Sequence, residues 1–401
     1  MINVAVLGHG TIGSGVVEVL QTNAAVIAKR VGEDIAVKYI LDLRDFPGDP
    51  NADKVVHDYD IIDKDSDIQV VVECMGGVEP AYTFVKKALL NGKSVATSNK
   101  ELVAKHGAEL IAIAREKNIN FLFEASVGGG IPIVRPLLRC LTADVIEKVS
   151  GILNGTTNYM LTRMGEEGLS FEEALKEAQE KGYAELHPEA DVEGYDACRK
   201  VAILSSLAFG QQVDFEDIYT EGITKITAED FCYAAKMKKS IKLLGSSWKT
   251  DDKFYAMVCP MLLDNEHPLA GVKDVFNAIF VRGNMIDETM FYGKGAGKLP
   301  TASAVAADVI DCAKHIGKNI KILWEPEKLT LSDLGNFERK YFVRMPADTA
   351  EETIQNIFGA VEMISVDGIE EKAFITGLMK ESAFNAAAEK AGNIINRIRL
   401  D

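Results

Sequence analysis

Residues 182–200 read GYAELHPEADVEGYDACRK. They hold five carboxylates, Glu185, Glu189, Asp191, Glu193 and Asp196, and end in the pair Arg199-Lys200. The apolar run 201–209 follows directly. A helix beginning near Val192 sets Asp196 and Lys200 four residues apart on one face, with Asp191 and Glu193 at its positive end. Spacing alone describes a solvated helix start with an i,i+4 ion pair. The case for chemistry is the amount of acid and base beside an apolar helix, because charge that must be partly desolvated is costly and is usually kept for a reaction. An ammonium steadied by a carboxylate can give a proton to an oxygen on which negative charge is growing.

Such a cluster needs a scaffold that brings a reaction partner to it. Residues 2–7 form a short apolar strand, followed at once by Gly8-His9-Gly10-Thr11-Ile12-Gly13 and an amphipathic helix over 12–29. Strand, glycines and helix in that order give a G-x-G-x-x-G sequence its meaning. Gly8 permits a tight turn, Gly10 lets the backbone approach a pyrophosphate, and Gly13 lets helix and strand pack closely. The N–H groups of Thr11 and Ile12 at the helix start then meet phosphate. A second strand over 35–41 ends in Asp42-Leu43-Arg44-Asp45. Asp42 suits the 2′-hydroxyl of NAD and Arg44 the 2′-phosphate of NADP, so both cofactors stay open.

Further strands at 69–74, 94–97 and 120–124 alternate with helices at 80–91 and up to Lys117, the rhythm of a doubly wound parallel sheet. Ligands in such sheets lie at the carboxyl ends of strands, where Gly76-Gly77 and Asn99-Lys100 fall. Three glycines in a row, Gly128–Gly130, follow the last of these strands. They signal either close approach of another group or an interdomain hinge. Beyond Ile131 we expect helices near 170–181, 193–209 and 228–244, strands near 253–261, 275–281 and 286–292, and a helix over 302–316. The tail, 338–401, parses as βαββαβ, a ferredoxin-like order.

Several of these stretches resemble the homoserine dehydrogenase family. Its signature is matched by Ala178, Gly182, Tyr183-Ala184-Glu185, Pro188, Asp191-Val192, Gly194, Asp196 and Lys200. His187 departs from it, where the family usually carries Asp, Asn or Ser. Thr97-Ser98-Asn99-Lys100, Gly151–Asn158 and Gly293-Lys294-Gly295-Ala296-Gly297 match further family motifs. The resemblance implies NAD(P)-dependent interconversion of L-aspartate 4-semialdehyde and L-homoserine. It implies Lys200 as proton donor, Lys100 assisting near nicotinamide and substrate, and Asp196 holding Lys200. Glu185, Asp191, Thr156 and Tyr183 are the implied substrate residues. Gly76, Lys100 and Gly295 join Gly8, Gly10, Thr11, Ile12, Gly13, Asp42 and Arg44 around NAD(P)H. A structural Na+ or K+ is implied at the Glu124 side chain and the carbonyls of Val127, Gly129 and Ile131.

The implied architecture is α/β throughout. A Rossmann-type domain spans 1–130, with a helix at 300–318 returning to it. A mixed α/β substrate and dimerisation domain spans 131–325, and an ACT-like module spans 338–401. Amino-acid-binding modules of that type usually carry Pro-Gly after the first strand, whereas Pro346-Ala347-Asp348-Thr349 stands here. Weak or absent threonine inhibition is therefore expected, and a truncation near Glu338 is expected to keep catalysis while losing oligomer order or thermal stability.

Bulk properties agree with a metabolic enzyme. The chain has 401 residues, 60 Asp+Glu against 44 Lys+Arg and a net charge of −16, which argues against nucleic acid and anionic membranes as partners. No apolar run approaches a membrane span, and the immediate first strand leaves no room for a signal peptide. Six scattered cysteines without Cys-x-x-Cys suggest reduced thiols in the cytoplasm, and six isolated histidines give no zinc spacing. A small-molecule substrate and a homodimer or homotetramer are expected. Two rivals fit less well. An acylating aldehyde dehydrogenase needs an activated cysteine, and Cys198 has no evident His partner. A regulator without catalysis is expected to lack one of Glu185, Asp191, Asp196 or Lys200, and all four are present.

Overall fold

The computed structural model describes Met1–Asp401. It divides into two compact units, one of Met1–Ile146, Ala202–Glu216 and Arg282–Leu329, the other of Glu147–Val201, Asp217–Val281 and Thr330–Asp401.

The first unit is built on a six-stranded sheet, β1 (Ile2–Leu7), β2 (Ile35–Leu41), β3 (Val55–Val56), β4 (Ile68–Glu73), β5 (Ser94–Thr97) and β6 (Phe121–Leu122). The strands lie in the order β3-β2-β1-β4-β5-β6 and every pairing is parallel. This is the doubly wound arrangement, whose order reverses between β1 and β4 and so opens a crevice at their carboxyl ends. The central strands are buried on both faces, as their Val/Ile/Leu content requires. The expected helix over 12–29 is two helices, Thr11–Thr22 and Ala24–Val31, broken at Asn23. The helix Lys298–Lys314 packs on the first of them. A Cβ on Gly15 would come within 3.0 Å of Ala302 and Lys298, and Lys298 pairs with Glu18 at 2.7 Å.

In the second unit the strands run Phe276–Gly283, Ile146–Ile152, Lys239–Thr250, Lys253–Asp264, Asn396–Leu400, Tyr341–Pro346, Glu371–Thr376 and Val361–Ile364, with Tyr219–Thr220 beside Lys253–Asp264. The helical reading of 228–244 is corrected at its second half. The helix stops at Lys236, Lys238 turns with φ 56°, and Lys239–Thr250 is a long strand. A run such as Ile241–Leu244, buried at every position, carries no period that separates helix from strand.

The four tail strands lie in the spatial order fourth, first, third, second, antiparallel throughout, with helices Glu351–Phe358 and Glu381–Ala391 between them. That is the ferredoxin-like order. Its last strand also pairs in parallel with Lys253–Asp264, Met261 opposite Arg399, so one sheet runs through. Arg344, 2% exposed, ties the tail to the helix Ala228–Lys236 through Asp230 at 2.8 Å and to Glu371 at 2.7 Å.

Candidate active site

The signature segment does not enter its helix in one piece. Glu189–Val192 forms a single helical turn, Gly194 breaks it at φ 84°, and the long helix Tyr195–Phe209 begins after the break. The spacing of Asp196 and Lys200 survives, and both are buried. Lys200 Nζ donates to Asp196 Oδ2 at 2.7 Å and to the carbonyl of Leu153 at 2.7 Å. Two fixed acceptors, one of them charged, hold the ammonium in one direction.

Asn154 organises the rest. Its amide nitrogen donates to Asp191 at 2.7 Å and to Asp196 at 2.9 Å, so one group separates two carboxylates that would otherwise repel. Its Oδ1 accepts from the N–H of Thr157 at 2.9 Å, capping the helix Gly155–Glu167. Asn154 stood in a recognised motif whose hydroxyls and amides suit both a polar pocket and a helix cap, but it was not singled out among the site residues. Its signal was an Asn before a helix in a chain where two acids needed a shared donor, and that need appears only in three dimensions. Thr156 donates to the carbonyl of Tyr183 at 2.7 Å, and the Tyr183 ring meets Tyr159 edge-on at 5.0 Å, which pins the signature loop to the same helix. Lys200, Asp196, Asp191, Thr156 and Tyr183 are thus brought together. Glu185 is solvent-exposed, anchored through its carbonyl by Gln179 at 3.0 Å, and His187 is exposed too.

In the first unit Gly8 turns at φ 91° against the carbonyl of Cys74, and a Cβ on Gly13 would fall 1.8 Å from the Gly8 oxygen. A Cβ on Gly10 would meet nothing within 4 Å, and no side chain caps the helix that starts at Thr11. The backbone N–H groups of Thr11 and Ile12 are thereby left for a phosphate. A cavity of about 510 Å³ opens here, lined among others by Gly10, Asp42, Arg44, His57 and Tyr59. Asp42 accepts the His9 N–H at 2.8 Å and is held bidentately by Arg44, at 2.9 Å to each oxygen. Arg44 keeps the Asp42 carboxyl well below the usual carboxylate range. Gly76 and Gly77, with φ of 78° and 69°, turn beyond β4, and Asn99 Nδ2 donates to the Gly77 carbonyl at 2.6 Å. Asn99 also caps the helix Lys100–Glu116, leaving Lys100, half-buried, as its first residue.

The three-glycine stretch has a packing reason. A Cβ on Gly129 would lie 2.2 Å from the carbonyl oxygen of Gly295, and one on Gly130 would lie 2.7 Å from Pro300. The Gly130 N–H donates to Lys294 at 3.1 Å. Gly295 therefore has the glycine loop as its immediate neighbour, and the close approach foreseen for that loop is made by the chain itself.

A sequence profile described as homoserine dehydrogenase matches residues 132–310, and one described as homoserine dehydrogenase, NAD binding domain, matches 8–124. The homoserine dehydrogenase of Bacillus subtilis is 44% identical over 322 residues, covering 79% of this chain and 73% of the relative. That of Lactococcus lactis is 36% identical over 100% of this chain and 94% of its own. The crystal structure of the Thiobacillus denitrificans homoserine dehydrogenase superposes with a TM-score of 0.90 at 36% identity, covering 100% of this chain and 98% of that one. The chain belongs to the homoserine dehydrogenase family.

As a homoserine dehydrogenase it is an NAD(P)-dependent oxidoreductase that interconverts L-homoserine and L-aspartate 4-semialdehyde. A hyperthermophilic archaeal homoserine dehydrogenase, 26% identical with a TM-score of 0.67 over 78% of this chain and 97% of its own, was solved in complex with NADPH. The open cradle at Gly10 and the uncapped helix start fit a dinucleotide. The alkali-cation set fits less well. Both oxygens of Glu124 are engaged by the N–H groups of Ile133, Val134 and Arg135 at 2.6, 2.9 and 2.7 Å, and the Arg135 guanidinium lies 3.7 Å away. The carboxylate thus already serves the N–H groups at the start of the helix Val134–Arg139. Cys198 is buried, which does not suit the nucleophile that an acylating dehydrogenase requires.

Proposed function

We propose that Lys200 handles the proton on the reacting oxygen while hydride moves at the carbon. The observation that carries this is the buried ammonium fixed between Asp196 and the Leu153 carbonyl. The nicotinamide, when bound, supplies or accepts the hydride. In the reducing direction Lys200 Nζ gives its proton to the aldehyde oxygen as that oxygen gains charge, and the neutral amine regains a proton from solvent. In the oxidising direction the neutral amine takes the hydroxyl proton. Asp196 keeps Nζ oriented. Asp191, aided by Glu185 and by the polar wall of Thr156 and Tyr183, receives the substrate's ammonium. Lys100 keeps the assisting role implied by the family. Gly8, Gly10, Gly13, Gly76, Asp42 and Arg44 hold the cofactor.

The wider setting belongs to the same proposal. Scattered free cysteines support a cytoplasmic enzyme, and exposed Met285, Ile286 and Tyr292 support assembly into a homodimer or homotetramer. The ferredoxin-like tail supports an ACT-like module, with threonine inhibition weak because no glycine follows its first strand. Domains of 1–130, 131–325 and 338–401 remain our proposed functional division.

The test is homoserine-dependent reduction of NAD and NADP by the purified protein and by Lys200→Ala. The variant is expected to bind cofactor normally and to lose roughly two to four orders of magnitude in kcat. Near-normal turnover in both directions would remove Lys200 from this role.

A further inference from the structure

Asp191 sits on a one-turn helix whose own bonds, Asp191 N–H to the Pro188 carbonyl at 2.9 Å and Gly194 N–H to the Asp191 carbonyl at 3.0 Å, hold its shape but do not tie it to the rest of the fold. The support comes from the segment 219–223. Ile223 N–H donates to the carbonyl of Val192 at 2.8 Å. Gly222 lies so close under this turn that a Cβ would come within 2.1 Å of the Val192 oxygen and 2.5 Å of the Glu193 Cα. On the far side of Gly222 stands Glu221, whose N–H is bonded to Val258 at 2.8 Å. Its Oε2 accepts hydrogen bonds from Arg399 at 2.7 Å and from the Tyr219 hydroxyl at 2.8 Å, and the Arg397 guanidinium lies 3.1 Å away as an ion pair. Arg399, 1% exposed, belongs to the last strand of the chain and is also bound to Glu381.

We infer that Glu221 is a positioning residue for the substrate site, bolting the turn under Asp191 to the two arginines of the C-terminal strand. A buried ion pair gives little net stability compared with apolar packing of the same volume, so its presence here has another use. Two guanidinium groups converging on one carboxylate fix the place of a short segment more sharply than apolar side chains do. The distance from Glu221 to Val192 is spanned by backbone alone, with no flexible side chain to absorb a shift. Displacement of Glu221 therefore moves Asp191 relative to Asn154 and Lys200. The substrate's ammonium is held less well, while the proton donor stays in place.

The inference rests on Asp191 as the receptor of the substrate's ammonium, and the experiment separates the two claims. Kinetics of the full-length enzyme are measured for Glu221→Gln, for Tyr219→Phe as a milder change at a part-exposed residue, and for Gly222→Ala, which pushes the turn directly while leaving Glu221 intact. Asp191→Asn is the reference. Glu221→Gln and Gly222→Ala are expected to raise the homoserine KM about tenfold, with kcat and cofactor KM within about twofold, the pattern of lost uniform binding. Tyr219→Phe is expected to raise it about two- to threefold. A fall in thermal midpoint or active fraction with the homoserine KM unchanged in all three would make Glu221 merely structural and overturn the inference. An unchanged KM in Asp191→Asn would overturn the substrate reading beneath it.

Discussion

Asn154 does two jobs with one side chain, and its variants can separate them. Serine caps a helix about as well as asparagine, so Asn154→Ser preserves the Thr157 bond while removing the amide between Asp191 and Asp196. Two carboxylate oxygens bonded to one nitrogen lie within roughly 6 Å of each other, where like charges repel by about 3 kcal/mol at an effective dielectric near 20. Lys200, 2.7 Å from Asp196, offsets part of this. Each lost bond to a charged acceptor is worth about 1.5 to 3 kcal/mol, again partly recovered by water. A net loss of about 2 kcal/mol corresponds to about thirtyfold in kcat/KM for homoserine. Asn154→Ala is expected to show the same kinetic loss and, because the cap is gone, to be less stable than the serine variant by about 1 kcal/mol. Steady-state homoserine oxidation and urea unfolding of the three proteins supply both numbers. If Asn154→Ser keeps wild-type kcat/KM, the amide does not organise the two acids, and the account of the site is wrong at its centre.

Cofactor choice should respond to the Asp42–Arg44 pair. Asp42→Ala is expected to shift the ratio of kcat/KM toward NADP, and Arg44→Ala toward NAD, each by about tenfold; if neither moves it, the adenosine ribose is read elsewhere. Lys242 is buried with neutral acceptors, Asn158 Oδ1 and the Val272 carbonyl, and burial pushes its pKa down to about 8 from 10.5. The unfolded chain therefore holds more protons between pH 8 and 10.5. Stability gained from this group rises with pH across that window, and the full desolvation cost applies below pH 8. Lys242→Met should flatten the dependence of the urea midpoint on pH there, and an unchanged slope would refute the assignment. Removing residues 339–401 strips Arg344 from the fully buried Asp230 and both arginines from Glu221, at about 3 to 5 kcal/mol for each broken buried pair. Contrary to the expectation from sequence, the truncated chain should fail to yield a folded second unit by circular dichroism. A cooperative melt with retained turnover would show the tail to be separable.

What the sequence made legible was whatever rests on local spacing. Gly8, Gly10 and Gly13 define their turn within six residues, and Asp196 with Lys200 meet on one helix whatever surrounds it. The break at Gly194 was hidden because it serves a contact with Thr220 and Val258, which lie far along the chain. The strand at Lys239–Thr250 was missed because a segment buried on both faces loses its alternation. The N–H partners of Glu124 were hidden for a similar reason. A carboxylate before a glycine loop suits a cation equally well on paper, and only the fold shows three N–H groups converging on it.

The parallel pairing of Met261 with Arg399 also governs how the molecule is made. During synthesis the strand Lys253–Asp264 emerges long before its neighbour Asn396–Leu400, and until that neighbour arrives it presents one unpaired stretch of backbone. Closing that gap is a contact of high sequence separation, which slows folding and prolongs the life of a sticky edge. A chain interrupted before Asn396 is thus left with an aggregation-prone sheet and no clamp on Glu221.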